Sequence, residues 1–169
     1  MRLGMVVLAA GLLAGAAQAS DKEPCGKGMV CASAPQTVID ALQAAGYKAV
    51  LTKSENSGNP MIESAASGYK FNIFFYECEE KKSCGSLQFN IGFTKEDDNT
   101  PELANLWNRK MRFIQMSAEE DKTLNVNYDV TTVGGLNQKN FADVIDWWAF
   151  MLGEMNKFFK ENPAKPAKK

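Results

Sequence analysis

Residues Tyr69 to Phe93, YKFNIFFYECEEKKSCGSLQFNIGF, restrict the fold more than any other stretch of the chain. In the first arm Tyr69, Phe71, Ile73 and Phe75 are apolar at every second position. In the second arm Leu87, Phe89, Ile91 and Phe93 repeat the pattern, with Gln88 and Asn90 between them. Side chains alternate across a strand, so each arm buries one face. If Cys78 and Cys84 face each other across the turn, Phe75 falls opposite Leu87, Ile73 opposite Phe89, Phe71 opposite Ile91 and Tyr69 opposite Phe93. Every pair then sets an apolar side chain against another on the same face, the stabilising unit of a sheet. A slip of one residue would oppose apolar and polar faces throughout. The cysteine pair and the hydrophobic pattern therefore specify the same disulfide-closed hairpin independently.

The N-terminus has the three parts of a secretory signal. Arg2 gives a positive start, Leu3 to Ala16 is an apolar run, and Ala17-Gln18-Ala19 is a cleavage site. The expectation is a signal peptide over residues 1–19 and a mature chain from Ser20, exported to the bacterial periplasm or beyond. The apolar run is short of the roughly 20 residues a membrane helix needs, so no stable membrane insertion is expected after cleavage. Cleavage removes Arg2 and leaves 18 of the 19 basic residues against 20 acidic ones, a net charge of −2. That balance gives no basic excess for nucleic acid.

The four cysteines form two local pairs of equal spacing, Cys25-x5-Cys31 and Cys78-x5-Cys84. An even count at matched spacing in an exported chain reads as two disulfides. Three pairings are possible, and the hairpin register favours the local one. A site of four thiolates for a metal and a redox pair are the alternatives, but neither spacing is the CxxC of zinc knuckles or thioredoxins. Histidine is absent. This removes the Ser-His-Asp and Cys-His arrangements and the commonest zinc ligand. No catalytic residues, metal or cofactor are expected.

Residues 20–34 read as an irregular segment pinned by Cys25 and Cys31. A single α+β domain is expected over 35–160, followed by a disordered Pro/Ala/Lys tail, 161–169. PQTVIDALQAAG is a short helix with Pro35 in its first turn and Gly46 as its stop. Tyr47–Lys53 and a segment from Pro60 to about Ala66 are strands, and Ser67-Gly68 turns into the main hairpin. Lys95 to Asn99 is a solvated loop without the spacing of a calcium loop. Thr100 caps a helix with Pro101 at its first position.

Phe113–Ala118 and Thr123–Thr131 read as a second hairpin. Its buried residues all have even numbers, so a two-residue turn is excluded, and a loop of three or five residues or a bulge is expected. Asn137 caps a long helix whose buried stripe is Phe141, Val144, Ile145, Trp148, Leu152, Met155 and Phe159. The order is α-ββββ-α-ββ-α, an antiparallel sheet with helices packed on one face.

The segments GYKAVLTK, PMIESAASGYKFNIFFYEC, LQFNIGF, NLWNRKMRF and NVNYDVTTVGGLNQKNFADVIDWW together resemble the YbjN-like family, bacterial proteins grouped as sensory transduction regulators. The likeness spans about residues 36–153. Its most specific part is W-N-x-x-x-R-F, here Trp107-Asn108 to Arg112-Phe113. The resemblance implies a fold similar to type III secretion chaperones, which bind other polypeptides and often dimerise. It brings no established active site.

Several polar groups have an ordinary explanation. Asp143 and Asp146, three apart on the long helix, fit a solvated face better than a cation site. Asn125, Asn127 and Asp129 fit the outer face of an antiparallel sheet. Asn108 and Arg109 or Arg112 beside Trp107 fit arginines lying over a core tryptophan. The strongest functional signal is apolar excess. Phe74 and Tyr76 fall on the hairpin's polar face, and Trp147 and Phe150 fall off the main helix stripe. They are either covered by helices or a loop, or they form a contact surface for a protein partner or a second copy. The leading expectation is a non-enzymatic, chaperone-like binding module. A sensor of a small ligand would instead need a deep apolar pocket between sheet and helix. An envelope enzyme would need a cleft with two differently tuned carboxylates; an enzyme inhibitor belongs to the same alternative.

Overall fold

In the computed structural model, which describes residues 24–163, the register implied by the alternation is the one adopted. The elements are β1 (Met29–Val30), α1 (Pro35–Ala44), β2 (Ala49–Lys53), β3 (Pro60–Ala66), β4 (Tyr69–Tyr76), β5 (Ser86–Phe93), α2 (Pro101–Lys110), β6 (Gln115–Ala118), β7 (Leu124–Thr131), β8 (Leu136–Asn137) and α3 (Gln138–Glu161). Six strands make one antiparallel sheet in the order β2-β3-β4-β5-β7-β6, and β1 pairs with β8 apart from it. The architecture is the expected α+β class. The signal peptide assigned to residues 1–19 and most of the tail lie outside the described residues.

In the main hairpin Phe75 stands opposite Leu87 and Ile73 opposite Phe89. The ladder ends at Asn72 and Asn90, but Tyr69 and Phe93 still meet edge to face at 5.9 Å. Both disulfides are local, Cys25–Cys31 and Cys78–Cys84. In the second hairpin Met116 faces Val126 and Ala118 faces Leu124. The five residues 119–123 connect them, as the even parity requires.

One face of the sheet carries the core: Ile62, Phe71, Ile73, Leu87, Phe89 and Val126 are buried on it, together with Leu42 of α1, Trp107 of α2 and Trp148 of α3. Trp148 fills the layer between sheet and helix, packing on Phe71 at 5.4 Å and on Phe89 at 5.5 Å between ring centroids. Asn156 fastens α3 to the β3–β4 turn: it accepts from the Tyr69 hydroxyl at 2.7 Å and donates to the Ser67 carbonyl at 3.1 Å. Thr100 and Asn137 cap α2 and α3 through their side-chain oxygens, accepting from Leu103 and Asn140.

Three expectations change. Of the segment expected to be irregular, the described residues 24–34 are more ordered than their composition suggests, because Met29–Val30 pair with Leu136–Asn137 and bury Val30 and Ala32 completely. Gly135 permits this approach. A Cβ there would lie 2.9 Å from the Met29 Cβ, and its φ of +82° suits glycine. Thr132, fully buried, then joins both disulfide segments: its hydroxyl accepts from the Ala32 amide at 2.8 Å and donates to the Gly85 carbonyl at 3.1 Å. The strand expected from Phe113 begins at Gln115, since Phe113 has φ +67° and turns the chain. On α3, Met151 and Phe158 are buried while Val144 and Phe159 are only partly so. Phe158 is drawn in by an edge-to-face contact with Trp107 at 5.3 Å.

Candidate functional site

The W-N-x-x-x-R-F residues fall into two groups with different work. Trp107 is fully buried and its indole donates to the Ile114 carbonyl at 3.1 Å. Asn108 binds the backbone of Met116 twice, accepting from its amide and donating to its carbonyl, both at 2.9 Å. It thereby occupies the outer edge of β6, where a further strand would otherwise pair. Arg112 does not lie over Trp107. Its guanidinium sits 4.9 Å from the centre of the Phe113 ring, a cation over an aromatic face. Phe113 itself is 41% exposed.

The four aromatics read as a contact surface do not form one site. Phe74 and Tyr76 are on the sheet's open face, with ring centroids 6.5 Å apart. Phe74 is half-buried and Tyr76 exposed. Their polar neighbours are occupied with one another. The Tyr76 hydroxyl donates to Gln88 at 3.3 Å, Gln88 to Asp129 at 2.8 Å, and Asn90 to Asn127 at 2.7 Å. Asn125 donates to Glu119. These amides form cross-strand pairs of an ordinary outer face.

Trp147 and Phe150 lie across the molecule from that face, on the flank of α3 that overhangs β7. Phe113 packs on Trp147 at 4.6 Å, Trp147 meets Phe150 edge to face at 5.8 Å, and Tyr128 of β7 lies 6.1 Å from Phe113. Phe150 is 57% exposed. A shallow depression is lined by Asp143, Asp146, Trp147 and Phe150. Their spacing, i, i+3, i+4 and i+7, makes a second stripe along α3 beside the buried one. The two aspartates remain exposed, as a solvated face implies, but they border an aromatic cluster. Burial raises the Tyr128 phenol above its ordinary pKa, and the Asp143 carboxylate adds to the rise.

The sequence alone does not place Phe113 and Tyr128 in this cluster. Nothing in the periodicity marks Phe113, whose ring is aimed by a left-handed backbone; Tyr128 has the parity of a core residue. The spacing of Asp143, Asp146, Trp147 and Phe150 was the available signal.

Elsewhere the loop 95–99 is held by Lys95 on Asp121 at 2.8 Å and by Lys122 on Asp97. The Asp121 carboxyl lies far below the usual range because Lys95 and Thr123 donate to it. Among the described residues no group of three or more His, Cys, Asp or Glu side chains is arranged to hold a metal ion, and no helix is long and apolar enough to cross a membrane.

No curated protein matches the chain. Among solved structures it is similar to one described as "Crystal structure of YbjN, a putative transcription regulator from E. coli", with a TM-score of 0.50 and 12% identity, covering 76% of this chain and 94% of that one. At that identity the likeness speaks for the fold alone. The family model named YbjN, described as "Putative bacterial sensory transduction regulator", matches residues 34–161. That span runs from the start of α1 to the end of α3 and includes the Trp107-Asn108 clamp and the turn at Phe113, so the chain belongs to the YbjN family.

Proposed function

We propose that the protein is an exported, non-catalytic module that docks a polypeptide partner on the surface made by Phe113, Trp147 and Phe150. The observation that carries this reading is the exposure of Phe113 and Phe150 on either side of a partly buried Trp147 that packs on both, with the Phe113 ring carried by a residue in an unfavourable left-handed conformation. A non-glycine aromatic at φ +67° is uncommon and costs on the order of 1–3 kcal/mol, which the surrounding structure must sustain. Exposed aromatics held rigid on a helix are the usual anchors of protein interfaces. The two disulfides and the signal-like N-terminus support export to an oxidising compartment. The space between sheet and α3, where a small ligand would sit, is filled by Phe71, Phe89 and Trp148.

The test is affinity capture from the exported fraction with parent, Phe150→Ala and Tyr76→Ala proteins, quantified by mass spectrometry. The reading expects a reproducible partner that is lost with F150A, kept with Y76A, and unaccompanied by any loss of folding. A partner kept by F150A overturns it.

A further inference from the structure

The docking surface is half aromatic and half anionic, and that combination narrows its partner. Asp143 and Asp146 stand at the border of the Trp147 and Phe150 rings. Neither carboxylate forms an ion pair among the described residues, although Lys139 precedes Asp143 by one turn and Arg112 lies over Phe113 nearby. Their charge is therefore unspent at a place where apolar surface is open. A purely apolar partner would have to desolvate the carboxylates without return, which is costly. An acidic partner would be repelled. A basic side chain satisfies both halves: its methylene stem covers the rings and its cation meets the carboxylates. Arg112 on Phe113 is an instance of the same contact within the chain.

We infer that this surface takes an arginine or lysine side chain of a partner polypeptide, laid across the rings of Trp147 and Phe150 with its cation against Asp143 and Asp146, beside the Phe113 ring that Arg112 already covers. The inference rests on the docking reading above and adds the chemistry of the partner. It also gives the stripe at 143, 146, 147 and 150 a single purpose, since one helical face supplies both the anions and the rings.

The experiment uses the mature protein and a blocked peptide, acetyl-Gly-Arg-Gly-Arg-Gly-amide, followed by the indole N–H signals of its tryptophans. Trp107 and Trp148 are buried and serve as internal controls. The expected result is a saturable shift at Trp147 alone, weakened by salt, and about tenfold weaker binding in the double variant D143N/D146N, the scale of two exposed charge contacts. The matching citrulline peptide, equal in shape but uncharged, should not produce it. An equal response to citrulline, or no response at Trp147, overturns the inference.

The capture assay separates the two claims. A partner lost with F150A and with D143N/D146N supports both. A partner lost with F150A but kept with D143N/D146N overturns the basic-segment assignment and leaves docking intact. Sedimentation of the protein alone covers the remaining occupant: a dimer that dissociates in F150A identifies a second copy and also overturns the assignment.

Discussion

Replacing Asn108 by alanine tests how the sheet ends. Asn108 makes two hydrogen bonds, both 2.9 Å, to the amide and carbonyl of Met116 on the edge strand β6. A net contribution near 1 kcal/mol for each gives about 2 kcal/mol, and leaving the partly buried Met116 groups unpaired raises the expected loss to about 2–4 kcal/mol. Truncating a half-exposed asparagine elsewhere on α2 would cost within about 0.5 kcal/mol. Urea unfolding measures the loss, and amide exchange at Met116 localises it, because the Met116 amide loses its acceptor in N108A. An N108A loss under about 0.5 kcal/mol, with Met116 exchange unchanged, refutes the clamp.

Other consequences follow from the same geometry. Thr132→Val removes the bonds to Ala32 and Gly85; thermal unfolding should report a loss of about 2–3 kcal/mol, and selective exposure of the Cys25–Cys31 segment to protease. The double variant C25S/C31S opens a short loop and buries a hydroxyl at the Cys31 position, which is 3% exposed; denaturant midpoints should fall by the equivalent of roughly 2–3 kcal/mol. Tyr128 should ionise above the ordinary value of 10.0, first because it is partly buried and second because of Asp143. Its protonated form is favoured by folding, so its contribution to stability is complete below the unfolded pKa and lost as pH rises through the folded one. Ultraviolet titration of the parent, corrected with Y128F, should show this, and D143N should lower the value without removing the shift.

Much of the fold was legible because it depends on parity. The alternation in β4 and β5, joined by Cys78 and Cys84, specified a register found residue for residue at Ile73 and Phe75. The even numbering of Met116, Val126 and their neighbours excluded a two-residue turn. The β1–β8 pair was not legible, since two-residue strands carry no period and their approach depends on Gly135 lacking a side chain. The end of α3 went to Phe158 rather than Phe159 because contact with Trp107 outweighed an exact seven-residue repeat. At the candidate site, Trp147 and Phe150 stood out as misfits to the buried stripe. Their companion Phe113 did not, because a left-handed backbone, invisible to periodicity, turns it out of the strand. Phe74 and Tyr76 had the same signal as Trp147, and only the surrounding hydrogen bonds distinguish the two faces.

The most direct measurement of the docking claim is site-specific photo-crosslinking in the cell. A photoreactive phenylalanine analogue replaces Phe150 in one exported protein and Phe74 in another, with adducts identified by mass spectrometry. The expected result is one reproducible polypeptide adduct at Phe150, mapping to a peptide that carries arginine or lysine, and none at Phe74. An adduct at Phe74 alone, or no adduct at Phe150 from a folded and exported protein, contradicts it.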